Sequence, residues 1–311
     1  MTEDVTSPPI LKHPAHITFS TPAARAGFHD YVELTKPRLS ALSVVTALVG
    51  YGAARPPWNF SEMFSLLLGT MLAAGGVAAL NQWMESGTDA RMRRTADRPI
   101  PAGRVAGGSA FVVGAGMCTA GLGLLFAKIN GPCALLALMT YVAYLALYTP
   151  AKKWSRWSTE IGAVAGALPP LIGATAADNG ISPLSWMLFG ILFFWQVPHF
   201  MAVAWTYRRD YAAAHFPMLS VLDGSGRRVA RWAFVNSFLL VAVSALPGLT
   251  GACSRFYLSI ALALGAWLLW RAVAFLRAAD RDAAAKKLFF ASIIYLPLLL
   301  GTLVADRLIF S

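Results

Sequence analysis

Asn81, Glu85 and Asp89 recur every four residues at the end of an apolar segment, and Arg91, Arg93, Arg94 and Arg98 follow at once. On a helix each step of four drifts by only about 40°, so the three side chains share one face. Oxygen ligands stacked in this way suit a hard divalent cation such as Mg²⁺, and arginines beside them suit phosphate oxygens. The plain alternative is a helix end with a solvated charged loop. That covers the arginines, but not Asn81 and Glu85, which carry the polar stripe back into an apolar segment where polar groups are costly. Acidic groups near a helix C-terminus also oppose its dipole and call for a compensating cation.

Three other clusters carry chemistry. Thr35-Lys36-Pro37-Arg38 precedes an apolar run. Pro37 can open a helix, which leaves Lys36 and Arg38 at a membrane surface as anchors or ligand contacts. Tyr148-Thr149-Pro150-Ala151-Lys152-Lys153-Trp154 reads as a short turn with interfacial aromatics and snorkelling lysines. The last cluster is Trp195-Gln196-Val197-Pro198-His199-Phe200, continued by Tyr207-Arg208-Arg209-Asp210-Tyr211. Gln196 and His199 lie inside an apolar run, so they face a cavity or another helix; a lone histidine there serves equally as a helix–helix hydrogen bonder. Asp210 is either a surface ion-pair partner of Arg208 and Arg209 or a second carboxylate on the same side as Asp89.

The elements that must position these residues are membrane spans. The chain has 311 residues, 57% hydrophobic and 13% charged, with mean hydropathy +0.57. A soluble domain carries roughly twice that charged fraction. Apolar stretches of spanning length occur at approximately 39–55, 63–84, 109–128, 131–149, 159–177, 184–206, 232–250, 256–275 and 288–309. The expected fold is all-α: a polytopic membrane bundle of about nine helices. Residues 1–30 are expected to form a flexible cytoplasmic tail without a cleaved signal, and residues 31–311 one transmembrane domain.

The net charge of +11 is a topology signal. With nine spans, one side gathers 22 of the 26 lysines and arginines, leaving Arg55, Lys128, Arg255 and Arg307 for the other. Positive loops stay in the cytoplasm, which places the N-terminus there and gives no support to a nucleic-acid partner. Cys118, Cys133 and Cys253 lie in or beside spans without Cys-x-x-Cys spacing and read as packing residues.

Carboxylate-bearing helix ends, ringed by lysine and arginine and opening into an apolar bundle, describe a site for a Mg²⁺-diphosphate at the mouth and a long hydrocarbon tail inside. The matching runs resemble the UbiA superfamily of intramembrane prenyltransferases. They are Thr35–Arg38, Asn81 through Arg104 with Asp97-Arg98-Pro99-Ile100-Pro101, Tyr148–Lys152, Gly166–Pro170, Trp195–Phe200 and Tyr207–Tyr211, in family order across residues 31–220. Glu85 replaces the commoner aspartate. The second carboxylate pair is reduced to Asp210, with Thr206 four residues before it, which resembles the haem-modifying branch.

The resemblance implies a cell inner-membrane enzyme, its site facing the cytoplasm, that moves farnesyl from farnesyl diphosphate to a vinyl group of haem B with addition of water. It implies Mg²⁺ as cofactor, membrane lipid as surroundings and a haem A synthase as partner. Asn81, Glu85, Asp89 and Asp210 become the metal ligands. Lys36, Arg38, Arg94, Arg98, Lys152 and Arg208 become diphosphate contacts. Trp83, Tyr148, Trp195, Gln196 and Tyr207 face the acceptor or stabilise the allylic cation, and His199 contacts haem by iron, propionate or proton transfer. The rival readings are a sister enzyme with an aromatic or lipid acceptor, a transporter, and a haem-handling protein without catalysis. A transporter needs a matching polar set in the outer half, and a non-catalytic protein does not need Asn81, Glu85 and Asp89 in register.

Overall fold

The computed structural model describes residues 26–54, 59–178 and 180–310; most of the expected tail, and Arg55, lie outside them. The described residues are helical, with no strand among them. In chain order they form α1 (Phe28–Leu34), α2 (Pro37–Ala54), α3 (Phe60–Asp89), α4 (Gly107–Lys128) and α5 (Gly131–Val142). A π-helical turn over Ala143–Tyr148 carries α5 into α6 (Thr149–Trp154). Next come α7 (Ser158–Ala167), α8 (Pro169–Asp178), α9 (Pro183–Thr206), and the short α10 (Arg208–Ala213) and α11 (Leu219–Leu222). The chain ends with α12 (Arg227–Leu249), α13 (Arg255–Arg277) and α14 (Arg281–Phe310).

Among the described residues, eight helical units are long and apolar enough to cross a membrane: α3, α4, α5–α6, α7–α8, α9, α12, α13 and α14. The protein is a multi-pass membrane protein. The segment expected first, at 39–55, is α2; opened by Pro37 and Arg38, it falls outside those eight, yet it packs against α3 and α8. Several helices outrun their apolar stretches. α3 continues past 84 to Asp89 and α14 starts at Arg281 rather than near 288, because hydrogen bonding continues where composition turns polar.

Local chemistry starts these helices. The Asn59 side chain accepts from the backbone N–H of Ser61 and Glu62 to open α3, and Asn130 accepts from Cys133 N–H to open α5. Ser182, followed by Pro183, caps α9. Pro169 and Pro170 break the fifth expected span at Leu168 into α7 and α8. α8 then approaches α2 so closely that a Cβ on Gly50 would collide with the Pro170 carbonyl, and one on Gly173 with that of Ala47.

Two apolar cores flank the site. One joins α9, α12, α13 and α14 around Leu188, Tyr257, Phe275 and Tyr295. The other joins α3, α4, α5 and α8 around Leu66, Leu125, Cys133 and Ile172. Between them lies a cavity.

Candidate active site

The cavity has a volume of about 480 Å³ and is walled by α2, α3, α5–α6, α7–α8 and α9. α3 contributes Glu85 and Asp89 at its inner end, then Val77, Ala74, Ala73 and Thr70 further in. Both carboxylates are buried, at 5% and 4% exposure. Each is held by one cation that also lines the cavity. Lys152 Nζ donates to both oxygens of Glu85, at 2.8 and 3.1 Å. Arg98 donates to Asp89 at 2.6 Å, and the turn carrying Arg98 is fixed by Thr95 Oγ1 donating to the Asp89 carbonyl.

Lys36 arrives from the hinge between α1 and α2. It adopts φ 46°, in the left-handed region that ordinary side chains avoid. The residue before a proline is already disfavoured in the right-handed helix, so the hinge ends α1 and lets Pro37 begin α2. Gln82 secures the hinge by donating to the Glu33 and Leu34 carbonyls at the end of α1. Arg104 secures α1 from the other side by pairing with Asp30 and Glu33, and its guanidinium holds the Asp30 carboxyl below its usual range. Lys36 Nζ then donates to Asn81 Oδ1 at 2.7 Å. Burial, with repulsion from Arg98 and Lys152, pushes the Lys36 ammonium down to about 7 against the pull of Glu85 and Asp89.

Asn81 is fully buried and lies behind the wall rather than in it, with Lys36 on its oxygen and its amide donating to Thr149 Oγ1. It shares a helix face with Glu85 and its side chain reaches the Glu85 carboxylate, so it stands directly behind that wall residue. Glu85 and Asp89 supply hard oxygens at the mouth. Asp210, on α10 beside the wall residue Tyr211, is half-buried and has no side-chain partner among the described residues. Asp210 itself does not line the cavity; Glu85 and Asp89 alone fit Mg²⁺, which is commonly held through one or two carboxylates plus substrate phosphates.

Of the other candidates, Arg94, Tyr148 and Gln196 also lie in the wall. Lys152 Nζ sits 4.5 Å from the Tyr148 ring centroid, so that ring face already receives a cation. Gln196 donates to the Ala163 and Leu192 carbonyls. Several expected residues lie outside the wall. Trp83 packs on Phe111 and is 41% exposed, because two residues from Glu85 is about 200° around the helix. Arg38 is exposed. Arg208 is taken up by Asp282, the Trp205 carbonyl and the Trp205 ring. Tyr207 is exposed, with the Arg94 guanidinium 5.8 Å from its ring centroid.

Trp195 and His199 turn toward α14. Trp195 Nε1 donates to the Ser292 carbonyl, and His199 stacks between Trp195 and Phe289. Ser292 Oγ lies 2.8 Å from His199 Nδ1 and 2.7 Å from the Phe289 carbonyl, so Nδ1 is engaged on the α14 side. Tyr144 escaped the sequence reading, and Gln82, Thr149 and Tyr211 stood in its runs without a role. Tyr144 carried a signal, standing one helical turn before Tyr148 on the same strip.

Buried carboxylates paired with cations over an apolar chamber, inside an all-helical membrane bundle, define an enzyme class that handles anionic head groups on hydrocarbon tails. The chain belongs to the UbiA prenyltransferase family, whose sequence pattern it matches over residues 43–294. It is 63% identical over 289 residues to protoheme IX farnesyltransferase of Opitutus terrae, a match covering 93% of this chain and 98% of that protein. Its fold is similar to that of a structure described as digeranylgeranylglyceryl phosphate synthase (TM-score 0.77, 16% identity, 90% of this chain and 98% of that one). It is similar also to that of a UbiA homolog from Archaeoglobus fulgidus bound to DMAPP and Mg²⁺ (TM-score 0.68, 14% identity, 90% and 100%).

Proposed function

We propose that the protein transfers the farnesyl group of farnesyl diphosphate to a vinyl group of haem B, with addition of water, giving haem O and diphosphate. The observation that carries this reading is the pairing of two buried carboxylates with two cations at the mouth of a long apolar cavity. The name of the Opitutus terrae relative supports the donor and the acceptor. The ligands of the Archaeoglobus fulgidus homolog support Mg²⁺ beside a prenyl diphosphate.

Glu85 and Asp89 would hold Mg²⁺, which neutralises charge on the leaving diphosphate. Lys152, Arg98, Lys36 and Arg94 gather on the diphosphate oxygens. The C1–O bond breaks, its electron pair leaves with diphosphate, and the allylic cation rests against the faces of Tyr148 and Tyr144. The vinyl π bond attacks C1. Water adds to the cation formed beside the porphyrin and gives up one proton. His199, its Nδ1 engaged by Ser292, has Nε2 for a haem contact through iron, a propionate or proton transfer.

The site faces the cytoplasm of a cell inner membrane, a placement supported by the 22 basic residues on that side. A haem A synthase is the partner that takes up the product. The test is incubation of purified protein with haem B, farnesyl diphosphate and Mg²⁺. A product heavier than haem B by one farnesyl and one hydroxyl supports the reading; unchanged haem with intact donor overturns it.

A further inference from the structure

Three walls of the cavity end at the same depth. Along α3, Glu85 and Thr70 are fifteen residues apart, about 22 Å of helix. Along α5–α6, Lys152 and Ala137 are likewise fifteen residues apart. From Ser158 on α7 to Ile172 on α8 the separation is fourteen, about 21 Å. The walls of α2 and α9 stop earlier, at Ser43 and Gln196, so the deepest part is bounded by α3, α5 and α8 alone.

Immediately beyond, the stripe is filled. Leu66 is one turn past Thr70 and Cys133 one turn past Ala137; both are fully buried in one apolar cluster with Ile172. Cys133 Sγ also donates to the Ile172 carbonyl, which ties α5 to α8 below the cavity. Of the about 22 Å from Glu85 to Thr70, the diphosphate between Lys152 and Lys36 takes the outermost helical turn, so the tail starts near the level of Asn81, where Lys36 meets α3, eleven residues or about 16 Å from Thr70. An isoprene unit adds four chain carbons, on the order of 5 Å when extended at about 1.5 Å per bond. Three units fill that depth and a fourth does not.

We propose that Thr70, Ala137 and Ile172, backed by Leu66 and Cys133, form a floor that limits the donor's hydrocarbon chain to three isoprene units. This rests on the prenyl-donor reading but not on haem as the acceptor. The length limit comes from the α3–α5–α8 packing, remote from the carboxylates. It is therefore separable from the metal and diphosphate contacts.

The test uses the full chain in nanodiscs and unreactive thiolodiphosphates of geranyl, farnesyl and geranylgeranyl alcohols, with binding measured by calorimetry without acceptor. Excluding a whole unit costs far more than one methylene, so farnesyl should bind at least about tenfold more tightly than geranylgeranyl. Ala137→Phe should weaken farnesyl about tenfold or more while holding geranyl within about threefold. Leu66→Ala should narrow the gap between farnesyl and geranylgeranyl, and it tests the floor from the opposite direction if the phenylalanine variant does not fold. Equal binding of farnesyl and geranylgeranyl, or an unchanged ratio in Leu66→Ala, overturns the floor and implies that the tail leaves sideways past Leu39 and Phe200. Failure of all three compounds to bind overturns the prenyl-donor reading itself.

Discussion

Replacing Lys152 with methionine should make the site bind metal more tightly when no diphosphate is supplied, although it removes a residue needed for turnover. The Lys152 ammonium lies 2.8 and 3.1 Å from the Glu85 oxygens, with the two side chains 18% and 7% exposed. A divalent cation arriving alone must displace it. Opposite unit charges at about 3 Å attract by about 5 kcal/mol at an effective dielectric constant near 20. Rehydration of the freed ammonium offsets part of that, leaving ~1.4–2.8 kcal/mol, or about 10- to 100-fold in affinity. Diphosphate gives Lys152 another partner, so in the native protein inorganic pyrophosphate should strengthen metal binding, and by reciprocity metal should strengthen pyrophosphate binding. The assay is Mn²⁺ titration followed by the electron paramagnetic resonance of the free ion, with and without pyrophosphate. In Lys152→Met, Mn²⁺ alone should bind about tenfold or more tightly, and the coupling to pyrophosphate should shrink. Arg94→Met is the control, because Arg94 lines the cavity without a carboxylate partner among the described residues. Unchanged or weaker Mn²⁺ binding in Lys152→Met, or an equal gain in Arg94→Met, would refute the reasoning.

Three other outcomes are expected. Asp89→Asn should lower haem product formation at saturating Mg²⁺ by about 100-fold or more, and near-normal product by mass spectrometry would remove Asp89 from the metal site. Lys36, its ammonium pushed down to about 7, is mostly neutral in the free protein above that pH. Pyrophosphate favours its charged form, so binding at pH 8 should take up more protons in the native protein than in Lys36→Met; calorimetry in buffers of different ionisation enthalpy should show that difference, and equal uptake would refute it. Trp83→Ala should leave the farnesyl-diphosphate KM within about threefold, because the ring packs outward on Phe111; a large rise would place it at the site.

The stripe on α3 was legible because polar residues at steps of four inside an apolar run leave little freedom: Glu85 and Asp89 stand in the wall as that spacing requires. Asn81 obeys the same arithmetic, but its environment depends on a lysine delivered by a left-handed backbone hinge, and a positive φ at a non-glycine residue leaves no mark in sequence. Trp83 shows the reverse case, since helical phase alone directs it away from Glu85 whatever its aromatic character suggests. The Trp195–His199 pair depended on which helix packs beside α9. Its partner Ser292 lies more than ninety residues away, and hydropathy records that α14 exists without recording whom it touches. The outline of the bundle was legible for the opposite reason: a span is a local property, set by length and apolarity.

The π-helical turn at Ala143–Tyr148 has a consequence for how this span tolerates change. Such a turn accommodates one residue more than the α-helix it interrupts, so it advances everything after it by about 100°. Ala137 and Thr140 are phased by the packing of α5, whereas Tyr148 and Lys152 are phased by the turn. Deleting a single residue from it would restore a regular helix and keep Lys152 facing Glu85, whereas regularising the turn with its residue count unchanged would rotate Lys152 away, every side-chain type at the mouth retained. The two halves of the span thus stay in phase when the residue count and the turn change together, and lose it when either changes alone.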